Sequence, residues 1–307
     1  MNSRRDFLKS GSAAALCGLA FFHGDGFAAE NKGHTKYLDL PLGLELYSVR
    51  ELLPKDYEGT LKQVAALGYQ EVEAAGFYNR TPDQVNAAMR QAGLRCVSAH
   101  FSFDNLRDQI DEDIAFSRQI GLEYMICSGP GRKNPSRNQA SQGQDSAYTL
   151  DDWRWIAEQL NRFGEKVHAA GMKLGYHNHT REFKKGNDIV FYDELMRLTD
   201  PSKVSMEMDC GWVIVGGGDP IELFRQYPTR ISMLHVKDFK RIASPDPESA
   251  PPPAAELGEG VIDYRPIFAA AARTGHIRHC FVEQEEFDMP PMRSLKIDAD
   301  YMRKLHA

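Results

Sequence analysis

Leu234-His235-Val236-Lys237-Asp238 is an apolar run that stops abruptly in charge, and three other stretches do the same. They are Gly175-Tyr176-His177-Asn178-His179, Met206-Glu207-Met208-Asp209 and Phe281-Val282-Glu283-Gln284-Glu285. Side chains alternate along a strand, so each reads as a buried β-strand with polar groups gathered at its C-terminal end. Extending the pattern in both directions predicts eight strands, at residues 43–47, 71–74, 96–100, 124–127, 173–177, 204–209, 232–236 and 279–283. Amphipathic helical patterns separate most of them. Thr81-Pro82-Asp83 places a capping threonine before a first-turn proline, and Thr149 and Asp219-Pro220 open two more helices. Gly93 and Gly121 close helical runs ahead of the next strand. Eight βα units in this length predict a single-domain α/β fold, the (β/α)8 TIM barrel, whose strand C-termini converge on one mouth. An open doubly wound sheet is the alternative. However, no glycine-rich nucleotide turn follows the first strand, and Gly216-Gly217-Gly218 comes only after the sixth.

The N-terminus has its own logic. Ser3-Arg4-Arg5-Asp6-Phe7-Leu8-Lys9 has the pattern of a twin-arginine export signal, followed by a weakly apolar stretch and Gly26-Phe27-Ala28-Ala29. Residues 1–29 are therefore expected to be a signal peptide cleaved near Ala28 or Ala29, with a lead-in at 30–42 and the barrel at 43–307. Leu16 is bulkier than a lipoprotein signal prefers before Cys17, and no later run is long enough to span a bilayer. The expected product is periplasmic or secreted, with no membrane anchor. Twin-arginine export carries folded proteins, so a metal can be loaded before export.

The 307-residue chain has a formal charge of −6. The signal contributes Arg4, Arg5 and Lys9 against Asp6 and Asp25, one net positive charge, so the remainder is nearer −7. That acidity argues against a nucleic-acid partner. Beyond the signal, Cys96, Cys127, Cys210 and Cys280 lie singly in predicted strands, which suits buried thiols better than a disulfide framework. Two insertions leave strand C-termini and are expected to overhang the mouth as a partial lid. One covers residues 128–148 with Arg132, Lys133 and Arg137; the other covers 243–257 with Pro245, Pro247, Pro251, Pro252 and Pro253.

His177, Asp209, His235 and Glu283 end successive strands and are the candidate metal ligands, with His179, two residues on, the alternative to His177 at the fifth strand. Imidazoles with carboxylates suit one divalent ion (Mn, Zn, Co or Fe) better than Ca²⁺. Such an ion, chelating a hydroxyl and an adjacent carbonyl, acidifies the neighbouring C–H and stabilises an enediolate. A base must then take the proton, and Glu283, Lys237 and His179 are the candidate catalytic groups. Burial near a cation is expected to lower the Lys237 pKa, unless Lys237 pairs with Asp238 or Glu207. His100 and Glu73 end the third and second strands and are expected to contact substrate hydroxyls. Glu207 alternates with Asp209 and is placed to contact substrate or to orient His235 or His177. Trp212 offers a flat face to a sugar ring, and Glu259, between two glycines, sits on a loop expected to close over the mouth.

These stretches, with Leu46-Tyr47-Ser48-Val49-Arg50, Glu182-Phe183, Asp209-Cys210-Gly211-Trp212 and Gly258-Glu259-Gly260-Val261-Ile262-Asp263, resemble the xylose-isomerase-like TIM-barrel superfamily, in its sugar phosphate isomerase/epimerase branch. The resemblance runs from about Gly43 to the C-terminus. It implies a divalent metal held by an acidic residue after the fifth strand, Asp after the sixth, His after the seventh and Glu after the eighth. Asp209, His235 and Glu283 carry over directly; the fifth-strand position has His177 instead. That removes one of the two carboxylates that face each other across the substrate in the epimerases. Branches with this histidine-rich signature resemble lyases and dehydratases of keto-sugars or keto-inositols. The resemblance thus implies an exported metal-dependent isomerase/epimerase or lyase acting on a sugar, keto-sugar or polyol through an enediolate, with homo-oligomerisation left open. The alternatives are a non-catalytic sugar-binding barrel and, against the charge and the export signal, an endonuclease-IV-like phosphodiesterase.

Overall fold

A computed structural model describes residues 38–133, 148–242, 245–246 and 250–305. The expected export signal with Cys17, the centre of the first insertion with Arg137, and part of the second, with Pro247, lie outside them. Eight parallel strands close into a barrel: β1 (Gly43–Glu45), β2 (Glu71–Ala74), β3 (Arg95–Phe101), β4 (Tyr124–Cys127), β5 (Lys173–His177), β6 (Val204–Asp209), β7 (Ile231–Val236) and β8 (His279–Val282). Neighbours in space follow chain order, and β1 closes the ring between β2 and β8. Closure brings Gly43 opposite both Glu71 and Phe281. A Cβ on Gly43 would lie 2.5 Å from the Cys280 carbonyl and from the Phe281 ring, so only glycine fits this seam. The first strand is shorter than the sequence pattern predicts. Its backbone turns into a 3-10 turn at Leu46–Val49, and the Glu45 carboxyl caps that turn by accepting from the Tyr47 N–H at 3.1 Å.

Helices fill the connections: α1 (Tyr57–Ala66), α2 (Pro82–Ala92), α3 (Phe103–Asp108), α4 (Ile110–Ile120), α5 (Leu150–Ala169), α6 (Phe191–Leu198), α7 (Cys210–Val215), α8 (Pro220–Gln226), α9 (Tyr264–Thr274) and α10 (Pro291–Lys304). The expected caps are present. Thr81 and Thr149 form capping boxes with Gln84 and Asp152, each satisfying two backbone N–H groups. No helix among the described residues is long and apolar enough to cross a membrane. Cys96, Cys127, Cys210 and Cys280 are free thiols.

Inside the barrel, Val97, Tyr124, Ile126, Met233 and Phe281 form a small apolar plug, separate from the core between strands and helices. His279, Phe281 and Glu283 share one face by period two, so His279 lies below Phe281 and Glu283, just past the end of β8, above it. Below, His279 Nδ1 meets Glu71 at 2.8 Å, and Arg95 pairs with Glu71 at 3.2 Å. Above lies the mouth. Two register shifts, between Val72 and Glu73 and between Met206 and Glu207, fall at the step into a buried glutamate. Bulges of this kind re-aim side chains beside functional sites.

α10 ties down the loop that follows the second insertion. Asp298 Oδ1 accepts from the Leu257 N–H at 2.7 Å, while its Oδ2 is buried without a hydrogen-bond partner. Burial pushes the Asp298 carboxyl up to about 7. An acid whose pKa rises on folding stabilises the fold fully below its unfolded value and loses that contribution as pH climbs through the folded one. From an unfolded value of about 3.9, the loss is on the order of 4 kcal/mol at most. Asp298→Asn removes the titration, so urea midpoints should show the variant gaining on the native protein between pH 4 and 8. Parallel midpoints would show that Asp298 is not the titrating group.

Candidate active site

The mouth is built from strand ends on which polar groups alternate with apolar ones. Glu45, Glu73, Glu207, Asp209, His177, His235, Lys237 and Glu283 are all buried there, and His100 is half-buried beside them. His177, Asp209, His235 and Glu283 offer ligand atoms that all lie within 4.8 Å of one another. Two overlapping groups lie alongside: His100, His177, Glu207 and His235, and Glu45, Glu73, His100 and His235.

Protons already occupy much of the latter two groups. His235 meets Glu283 Oε2 through Nδ1 at 2.9 Å and Glu73 Oε1 through Nε2 at 2.7 Å. Burial would lower its pKa, but Glu207 and the hydrogen-bonded carboxylates hold it well above the usual imidazole range. His100 is likewise raised against its burial by Glu73 and Glu45, with Nε2 3.0 Å from Glu73 and 2.9 Å from Glu207. Glu73 in turn is held well below the carboxylate range, His100 and His235 overcoming the effect of burial. Burial drives Glu45 the other way, well above it.

The quartet differs at one edge. His177 is held well below the usual imidazole range, first by burial and then by His235, so its ring is neutral. Its Nδ1 faces the acceptor Glu207 Oε2 at 3.1 Å, which puts the proton on Nδ1 and leaves a lone pair on Nε2. That lone pair faces Asp209 Oδ2 at 3.9 Å. Asp209 spends Oδ1 on the Trp212 N–H at 2.8 Å, capping α7, and its buried Oδ2 pairs with the Lys237 ammonium at 3.0 Å. His177 Nε2, Asp209 Oδ2 and Glu283, with His235 Nδ1 once it gives up the proton it shares with Glu283, fit a divalent cation with mixed nitrogen and oxygen ligands.

Lys237 fills the other side of the quartet. Its Nζ lies 3.0 Å from Asp209, 2.8 Å from Glu283 and 2.5 Å from Glu285. Neither Asp238 nor Glu207 is its partner: Asp238 instead accepts backbone N–H groups from Phe239, Gly258 and Ile262. The expected fall in the Lys237 pKa is reversed. Burial does lower it, but Asp209, Glu283 and Glu285 together hold it well above the usual range, so the group is an ammonium. The same contacts hold Glu283 well below the carboxylate range against its burial, while burial pushes Asp209 up to about 6.

Residues 61–305 match the family described as xylose isomerase-like TIM barrel. The chain belongs to that family. It is 26% identical over 253 residues to an inosose dehydratase of Lacticaseibacillus casei, covering 75% of this chain and 82% of the relative. It is 27% identical over 246 residues to an inosose dehydratase of Geobacillus kaustophilus, covering 74% and 79%. Among solved structures it is similar to a sugar phosphate isomerase/epimerase from Parabacteroides distasonis, with a TM-score of 0.67 and 25% identity over 85% of this chain and 92% of that one.

Within this family barrel, the other sequence-derived candidates take different places. Glu73 and Glu207, expected to reach substrate hydroxyls, are fully buried and hydrogen-bonded to histidines. They orient imidazoles, the orienting role that the sequence allowed for Glu207. Trp212 is buried, with Phe239 at one side and Lys237 4.6 Å from its ring centre, so its face is covered by the ammonium. Glu259 is exposed beside Asp298, outside the group. His179 stands past the end of β5, its N–H donated to Glu182 at 3.0 Å, and lines a polar cavity of about 260 Å³ with Ser102, Asp104, Ser128 and Arg181. Burial, then the Lys237 ammonium, hold it down to about 3.

Three contributors escaped the sequence reading. Glu45 was hidden inside an over-long first strand. Asn178 clamps β5 to β6 by exchanging hydrogen bonds with the Asp209 backbone at 3.1 and 3.3 Å. Glu285 shares its side of the chain with Glu283 by period-two alternation, the one signal that pointed to it. Glu73→Gln should leave two buried imidazoliums short of a counter-charge and cost about 3–5 kcal/mol, read as a lowered urea midpoint. A midpoint within experimental error of the native one would dismiss Glu73 as their anchor.

Proposed function

We propose that this enzyme removes a proton beside the carbonyl of a keto-sugar or keto-polyol and eliminates water from the neighbouring carbon. The observation that carries the reading is the pairing of the His177–Asp209–His235–Glu283 quartet with an ammonium and a neutral imidazole at one mouth. Those four residues would hold one divalent ion, which supplies Lewis-acid stabilisation of charge developing on substrate oxygens. His179, neutral at physiological pH and facing the polar cavity, accepts the proton from carbon. The C–H electron pair forms the new double bond as the C–O bond breaks. Lys237 gives its proton to the departing hydroxyl, which leaves as water. Acid and base are different groups, which suits elimination better than exchange between two like carboxylates.

The relatives named inosose dehydratase support dehydration of a cyclic keto-polyol as the reaction class. The isomerase/epimerase neighbour supports the shared first step, proton removal beside a carbonyl. The two chemistries part at the second step, where Lys237 decides whether an oxygen leaves.

The test is a panel of keto-sugars and keto-inositols in deuterated water, with bound metal measured by elemental mass spectrometry. His179→Gln should abolish deuterium exchange at the α-carbon. Lys237→Met should slow water loss by about 100-fold or more while exchange continues. Asp209→Ala should lower bound metal and turnover together. Undiminished turnover in both Asp209→Ala and Glu283→Gln would sink the site. Residues 1–29 are, in the same proposal, a twin-arginine export signal. A variant with Arg4 and Arg5 both changed to Lys should then stay in the cytoplasmic fraction, and undisturbed export would overturn that assignment.

A further inference from the structure

Lys237 sits where a cation is wanted, and the chain is shaped to let it. Its stem crosses Gly211, where a Cβ would come 2.5 Å from Lys237 Cγ. Its ammonium lies over Trp212 and touches three carboxylates. Two of the three, Asp209 and Glu283, belong to the quartet that fits a divalent ion. The third, Glu285, does not. It makes the shortest contact to Nζ, a hydrogen bond of 2.5 Å, and its side chain is 33% exposed where the other two are almost sealed.

An ammonium and a divalent ion cannot share Asp209 and Glu283 at these distances without strong mutual repulsion. We propose that Lys237 is the quartet's built-in counter-ion in the metal-free protein, and that Glu285 is the carboxylate that receives it when an ion is taken up. This rests on the quartet being a metal site. Lys237 then has two stations. On Asp209 and Glu283 it keeps two buried carboxylates neutralised, so the chain folds without its ion. On Glu285, towards solvent, it remains an ammonium at the mouth, ready to protonate a leaving oxygen. Glu285 is a positioning residue: it acts through Lys237 and needs no contact with the ion.

The two residues should therefore shift metal affinity in opposite directions. Lys237→Met removes the competitor and should tighten Zn²⁺ or Mn²⁺ binding by about tenfold in calorimetric titration of the purified protein, while lowering the stability of the metal-free form. Glu285→Gln removes the receiving station and should weaken binding several-fold. In the Lys237→Met background the same change should leave affinity unaltered, because the residue it acts through is gone. Should Lys237→Met not fold, Lys237→Gln serves the same comparison. Unchanged or weaker binding in the lysine variant overturns the inference, and so does an equal loss from Glu285→Gln in both backgrounds. The metal reading fails separately, if native protein and all variants alike bind no ion.

Discussion

Five carboxyl groups converge at the mouth of this barrel almost without solvent, and the cost of burying them governs the local design. A carboxylate removed from water is tolerated only when paired and hydrogen-bonded. The chain meets this in three ways. His100 and His235 carry protons between Glu73, Glu207 and Glu283. Lys237 reaches in over Gly211 to Asp209 and Glu283. At Glu45, burial outweighs the nearby His100 and His235 and pushes the carboxyl towards its neutral form. The backbone follows suit, with bulges entering Glu73 and Glu207 and an Asn178 clamp holding the ends of β5 and β6 in step.

The charge arrangement divides the mouth. On the β1–β3 side, Glu45, Glu73 and His100 form a protonated network that props His235 from behind. On the β5–β8 side, His177 Nε2 faces Asp209 Oδ2 at 3.9 Å, and that oxygen is held by the Lys237 ammonium at 3.0 Å. His235 belongs to both halves, with one nitrogen on Glu73 and the other on Glu283. A ligand histidine whose far nitrogen is fixed by a carboxylate has its ring orientation and basicity set before any ion arrives. The apolar plug beneath, centred on Phe281 and Met233, keeps this network apart from the His279–Glu71–Arg95 cluster at the opposite face.

Much of this was legible in the sequence because strands announce themselves by period. Alternation placed His177, Asp209, His235 and Glu283 on one side of consecutive strands, and capping threonines located α2 and α5. Depth was not legible. Period two says which face a side chain takes, but not whether it ends in the open mouth or one layer below. Glu73 was therefore read as a substrate contact, and Glu207 as either a contact or an orienter, when both lie buried against histidines. Glu259 failed for another reason: the glycines around it serve a turn pinned by Asp238, where a Cβ on Gly260 would meet the carboxylate, and the turn faces α10. For Lys237 it was the charge that was misjudged, because Asp209, Glu283 and Glu285 outweigh burial.

That misjudgement bears on the chemistry. The carboxylates that hold Lys237 as an ammonium also determine what it does to its neighbours. Its positive charge, after burial, is the next largest influence depressing His179. One cluster thus holds two nearby nitrogen groups in opposite states, one an ammonium and the other a neutral imidazole. Divergent pKa values in adjacent groups mark acid and base roles. In a site with two facing glutamates, either can take or return a proton, and the chemistry is naturally reversible about one carbon. Replacing the fifth-strand acid by His177 and setting Lys237 against His179 breaks that symmetry. In the proposed reaction, a proton taken by the imidazole would not be returned from the ammonium side to the same carbon; it would be matched by one delivered to oxygen. Under the proposed reaction, the asymmetry of charge would favour loss of water over inversion at carbon.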